Sequence, residues 1–213
     1  MQKGFLVVVV VAVASLSGLG ARAATFGFNF DGSGVSGAIE LTYSATTDSR
    51  YSSAFLVTGI SGTFSDSSIG ISNATIGMLQ PRTFATADPG NLLTPNSFSR
   101  FAVATGLSPI SNGFLTYDNL FWPGGSIQTA SDYPFSGGFL DIYGLLFDIG
   151  GGRVVNFWSN GDFGSGADYA VAVATPERAL DYVGGGVTVP EPGSLALLGA
   201  GIAVLGTIRR RGT

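Results

Sequence analysis

Residues 25–43 read Thr25-Phe26-Gly27-Phe28-Asn29-Phe30, then Asp31-Gly32-Ser33-Gly34, then Val35-Ser36-Gly37-Ala38-Ile39-Glu40-Leu41-Thr42-Tyr43. Phe26, Phe28 and Phe30 recur at every second position, as do Ile39, Leu41 and Tyr43. Successive side chains of a strand point to opposite faces, so this spacing describes two strands with one apolar face each. The Asp-Gly-Ser-Gly tetrad between them is turn chemistry, and the stretch predicts a β-hairpin. Glu40 falls on the face opposite Ile39 and Leu41, where a solvated residue belongs.

The same pattern repeats along the body. Further strands are expected over 54–60, 62–65, 69–71, 74–79, 101–104, 113–117, 139–149, 154–158 and 167–175. Gly150-Gly151-Gly152 marks a second hairpin between the apolar runs on either side. Many short strands separated by Gly, Ser and Asx turns predict an all-β domain, a β-sandwich or jelly roll. One short helix is expected over 176–182, with Thr175 as N-cap and Pro176 at its first position. Residues 85–99 carry no regular pattern, and Gly184-Gly185-Gly186 reads as the start of a flexible linker over 184–189.

Composition narrows the chemistry. The 213 residues include no cysteine, no histidine and a single lysine, Lys3. Disulfides, thiolate metal sites and Cys-based or His-based nucleophilic catalysis are thereby excluded. Residues 24–188 hold five arginines against thirteen carboxylates, a net charge of −8. Such a surface repels phosphate, so no nucleic acid partner is expected. No cofactor and no metal is assigned.

The two ends differ from the body. Residues 1–23 carry Lys3, an apolar run from Phe5 to Ala14 and the small-residue sequence Ala21-Arg22-Ala23. This is the pattern of a signal peptide cut by signal peptidase between Ala23 and Ala24. At the other end stand Val189-Pro190-Glu191-Pro192, the uncharged stretch 193–208, and Arg209-Arg210-Arg211. As a helix, residues 193–208 would measure about 24 Å at 1.5 Å per residue. That suffices for a single transmembrane helix with snorkelling arginines, and the three arginines set its end on the cytoplasmic side. The expected organisation is signal peptide 1–23, ectodomain 24–183, linker 184–189 and tail 190–213.

The tail, with its Pro-Glu-Pro box, short apolar helix and basic end, resembles the PEP-CTERM sorting signal, also catalogued as an ice-binding protein C-terminal domain. The resemblance implies export through the inner membrane of a Gram-negative-type bacterium that makes exopolysaccharide. It further implies recognition by an exosortase, processing of the tail, and release or attachment at the cell surface or in the extracellular matrix. Val189, Pro190, Glu191 and Pro192 are then the sorting motif and Arg209, Arg210 and Arg211 the cytoplasmic anchor. The body is similar to short PEP-CTERM ectodomains in Ile60-Ser61-Gly62-Thr63-Phe64, Asp118-Asn119-Leu120, Gly137-Gly138-Phe139 and Val155-Asn156-Phe157. None of those elements brings a catalytic residue.

Three groups of body residues are candidates for ligand chemistry. Asp118, Asn119 and Trp122 either hold a sugar, with the indole stacking on its ring, or form a turn whose aromatics enter the core. Asp162 and Asp168, with Asn160 between Trp158 and Gly161, space oxygens as loose calcium loops do, or close a Gly-rich turn. Carboxylate pairs such as Asp141 with Asp148, or Asp162 with Asp168, are the hydrolytic route left to a chain without histidine or cysteine. The balance points to a non-enzymatic surface protein associated with exopolysaccharide. A carbohydrate- or calcium-binding module is the alternative, and a carboxylate-based glycoside hydrolase a more distant one.

Overall fold

The computed structural model describes residues 23–80, 117–129, 134–175 and 178–189. Within them the chain forms nine strands: β1 (Ala24–Gly32), β2 (Val35–Thr47), β3 (Phe55–Asp66), β4 (Ile71–Thr75), β5 (Leu120–Phe121), β6 (Leu145–Asp148), β7 (Val154–Asp162), β8 (Ala167–Ala174) and β9 (Ala179–Thr188). The expected strands 101–104 and most of 113–117, and the irregular stretch 85–99, lie outside the described residues.

The hairpin forms as the alternation demands. β1 pairs antiparallel with β2 from Ala24↔Tyr43 to Gly32↔Val35. The turn narrows to Ser33-Gly34, both at positive φ (52° and 88°), the geometry whose twist matches that of the flanking strands. Phe28, Phe30, Ile39 and Leu41 are buried and Glu40 is exposed.

All nine strands belong to one antiparallel sheet, in the order β4-β3-β2-β1-β9-β8-β7-β6, with β5 pairing β3. Where a two-sheet sandwich is expected from the sequence, the hydrogen bonding instead runs through this single curled sheet. Its two ends meet. After β4 the chain leaves β3, with Ile76 N donating to Gly62 O at 3.0 Å, and crosses to β6. There Gly77 N bonds Asp148 O (2.9 Å), Asp148 N bonds Met78 O (2.8 Å) and Gln80 N bonds Leu146 O (2.8 Å). Curling lets one face of every strand share one core, and joining the ends removes edges that would otherwise be exposed.

That core is aromatic. The ring of Phe157 stacks on Tyr169 at 5.4 Å and 6° and lies 5.0 Å from Phe30 and 5.9 Å from Phe28. Phe139 adds contacts to Phe28 and Tyr169 at 4.8 Å each. Each such side chain, taken wholly out of water, contributes about 1.5–3 kcal/mol. Gly37 makes room for this packing, because a Cβ there would sit 2.6 Å from the Phe30 ring.

Two expectations are corrected at the end of the chain. Where a helix is expected over 176–182, the described residues from Ala179 on are strand β9: Thr175 N donates to Arg178 O at 2.8 Å and Ala174 pairs with Ala179, while residues 176 and 177 lie outside the described residues. Nor is Gly184-Gly185-Gly186 a linker. These glycines belong to β9 and precede Val187, which is wholly buried. The strand pattern was diluted by glycine. Residues 139–144 also form bends in place of strand, with β6 confined to Leu145–Asp148.

Candidate functional site

β9 is held to its last residue. Thr188 pairs with Asp31 of β1 and with Asp168 of β8. The Thr188 hydroxyl donates to Asp31 O at 3.2 Å. Just upstream, the glycine bulge is fixed by polar side chains. Gly186 N donates to Asp168 Oδ1 at 2.7 Å, Asn160 Nδ2 donates to Asp168 Oδ2 and to Gly184 O at 2.9 Å each, and the Ser33 hydroxyl donates to Gly185 O at 3.1 Å. Gly186 itself takes φ 77°, a conformation costly for other residues. The Asp168 carboxylate, a candidate calcium ligand in the sequence, is therefore the group that seats β9.

Asp162 is likewise engaged locally, accepting from Gly164 N (2.7 Å) and Gly166 N (3.2 Å) in the β7–β8 turn. The described residues contain no group of three or more acidic side chains arranged to hold a metal ion. Trp158 donates its indole N–H to Asn160 Oδ1 at 3.2 Å inside the core.

The Asp118-Asn119-Trp122 segment joins the ends of the sheet. Asn119 sits at φ 54°, in the left-handed region that asparagine tolerates. Its Nδ2 donates to Gln80 O at 2.8 Å and its Oδ1 accepts from Leu146 N at 3.1 Å. Its backbone completes the link, with Asn119 N on Gly144 O (3.0 Å) and Val57 N on Asn119 O (2.8 Å). Asp118 Oδ1 accepts from Leu120 N at 3.1 Å, an Asx turn. Phe121 and Trp122 are buried, with Trp122 against Tyr51 at 5.1 Å. Of the two sequence alternatives the turn is the one formed.

The structure brings together a carboxyl pair that spacing did not single out, Asp118 and Asp141. Asp141 is 1% exposed and Asp118 2%. Asp141 Oδ1 accepts from Tyr143 N (3.0 Å) and Gly144 N (3.1 Å), while the Asp118 carboxyl and Thr129 hydroxyl lie beside it. Burial pushes the Asp141 carboxyl above its ordinary value, against the lowering effect of those donors. Burial, reinforced by Asp141, raises the nearby Tyr143 phenol too. Asp148, the partner proposed from the sequence, bonds Gly150 N at 2.8 Å in the Gly-rich turn. The only signal for the true pairing is that both aspartates begin Asx turns.

At the chain's other end Ala23 is exposed and Ala24 opens β1, so the sheet begins at the first residue after the expected cleavage point. Ala21, Pro190, Glu191, Pro192, the span 193–208 and Arg209–Arg211 lie outside the described residues. Among those described, no helix is long and apolar enough to cross a membrane.

No curated protein and no solved structure matches the chain. One family model does, over residues 188–211: the PEP-CTERM protein-sorting motif. The match begins at Thr188, the residue on which β9 ends. It implies export, membrane-anchored sorting and exosortase processing, so the chain carries a PEP-CTERM sorting motif at residues 188–211.

Proposed function

We propose that this protein is a non-enzymatic component of the cell surface or extracellular matrix, associated with exopolysaccharide. It is led out by residues 1–23, held by the helix 193–208 and its arginines, and handed on when an exosortase processes the tail. The observation that carries this reading is the junction at Thr188, where the matched sorting motif follows the folded sheet without an intervening linker. The domain's own side chains support a passive role. Trp122 and Trp158 are buried, Asp162 and Asp168 are committed to backbone and amide donors, and the Asp118–Asp141 pair is enclosed. Replacing Glu191 by Ala, or deleting Arg209–Arg211, is expected to stop processing and leave the chain in the inner membrane. Unchanged processing and surface delivery of both variants would refute the role given to the tail.

A further inference from the structure

Polar side chains from separate segments converge where the sheet closes. Tyr51 stands between β2 and β3, Asp118 just before β5 and Thr129 after it, and Asp141 and Tyr143 in the bends that lead to β6. Asp118, Asp141 and Tyr143 are all at most 2% exposed. Asx turns fix the carboxyls, with Asp118 Oδ1 accepting from Leu120 N and Asp141 Oδ1 from Tyr143 N and Gly144 N. The other oxygen of Asp141, Oδ2, is buried without a hydrogen-bond partner among the described residues. Two more buried oxygens share that condition, Tyr143 Oη and Thr129 Oγ1. The Thr129 hydroxyl lies beside the Asp141 carboxyl, and Asp141, Tyr51 and Asp118 all act electrostatically on the Tyr143 phenol.

Buried polar atoms are paired as a rule, so three unpaired oxygens around one carboxyl pair point to a common ligand. Its chemistry follows from what surrounds it. A shared proton would neutralise one of the two carboxylates and leave the Thr129 and Tyr143 hydroxyls as they are. Water would satisfy the hydroxyls and leave two buried charges uncompensated. Arg50, the cation whose charge reaches Tyr51 and Tyr143, is itself exposed, with its guanidinium over the Tyr51 ring at 5.2 Å. Two carboxylates with neutral hydroxyl oxygens instead match a hard divalent cation, and an irregular set drawn from several segments suits calcium better than magnesium.

We infer that Asp118, Asp141 and Thr129 bind one calcium ion, with the Tyr143 phenol accepting a hydrogen bond from a water of its shell. The ion staples the bends before β6 to the segments on either side of β5, the same junction that Asn119 bridges. The site is separate from the β7–β8 turn to which sequence spacing assigned calcium, where Asp162 and Asp168 are taken up by backbone and amide donors. An enclosed ion of this kind holds the fold and touches no substrate. The inference rests on side chains within the folded sheet and is independent of the sorting reading.

The test uses the full chain in detergent micelles, unfolded in urea with EDTA and refolded with EDTA, calcium or magnesium, because an enclosed ion enters during folding. Calcium is expected to raise the urea midpoint of wild type, and magnesium, which keeps its waters and demands a strict octahedron, to do little. Asp141→Asn retains the Oδ1 acceptor but loses the charge, and should weaken calcium binding about a hundredfold. Tyr143→Phe should weaken it about tenfold. In EDTA at neutral pH, Asp141→Asn should be at least as stable as wild type; in calcium the order should reverse. Asp162→Asn should respond to calcium as wild type does. Terbium, a luminescent calcium mimic, should be sensitised by Tyr143 and by Trp122, which packs on Tyr51 at 5.1 Å. That emission should fall when calcium is added and be absent in Asp141→Asn. Equal midpoints in EDTA and calcium would mean water alone and would overturn the proposal. So would a calcium response kept by Asp141→Asn, one lost in Asp162→Asn, or an equal response to magnesium.

Discussion

Replacing Asn119 by alanine tests whether closure of the sheet depends on one amide. Its Nδ2–H···O bond to Gln80 and the Leu146 N–H···Oδ1 bond would both vanish. Leu146 is wholly buried, so its N–H is left without water as a substitute. The half-buried Gln80 carbonyl loses a donor as well. Together these losses amount to about 2–3 kcal/mol. Alanine at φ 54° adds about 1 kcal/mol of left-handed strain, for a total of about 3–4 kcal/mol. With a urea slope of about 2 kcal/mol/M, the unfolding midpoint should fall by about 1.5–2 M. Trp122 and Trp158 are both fully buried and report the transition by fluorescence. Asn119→Gly removes the strain but not the lost bonds, and should fall about 1 kcal/mol short of the alanine effect. An alanine variant within about 0.5 kcal/mol of wild type, the range of an ordinary surface change, would refute the closure role.

Two further substitutions probe the polar interior. Burial raises the Asp141 carboxyl, with Asp118, Tyr143 and Tyr51 as titratable groups that interact with it. The folded state therefore keeps this proton more tightly than the unfolded chain. Stability from this group is full below the ordinary value of 3.8 and is lost as pH rises through the raised folded value. Asp141→Asn, which stays neutral, should gain on wild type as pH increases above 4 in thermal melts. A difference between the two that does not vary with pH would contradict the assignment. Asp168→Ala removes the acceptor of Gly186 N and Asn160 Nδ2 and should cost about 2 kcal/mol. Hydrogen exchange should show β9 losing protection first while the β1–β2 hairpin keeps its own; uniform loss across both would argue against a local seat.

The parts of the fold that the sequence disclosed are those with local causes. Phe26, Phe28 and Phe30 alternate, Ser33-Gly34 supplies the turn, and the Gly150–Gly152 run reverses the chain between β6 and β7 at φ values of 64–80°. β9 was hidden for an equally physical reason. Gly184–Gly186 remove three side chains from its alternation, and their irregular path is specified by Asp168, Asn160 and Ser33, which are distant in sequence. Sheet closure is also non-local, since the segment that follows β4 meets β6 at Leu79↔Phe147, some seventy residues apart, and nothing in either segment names the other. A separation of 23 residues, with no repeating pattern to link them, concealed the Asp118–Asp141 pair. The tail was legible because sorting is read from short linear chemistry: a Pro-Glu-Pro box, an apolar stretch and a basic end.

Mass spectrometry of the protein recovered from the cell surface, in matched cells with and without exosortase, tests the sorting account most directly. With the enzyme, the chain should begin at Ala24 and lack the arginine end 209–211. Without it, the chain should remain in the membrane with its tail intact to Thr213. Identical termini and identical location in both cells would contradict the account.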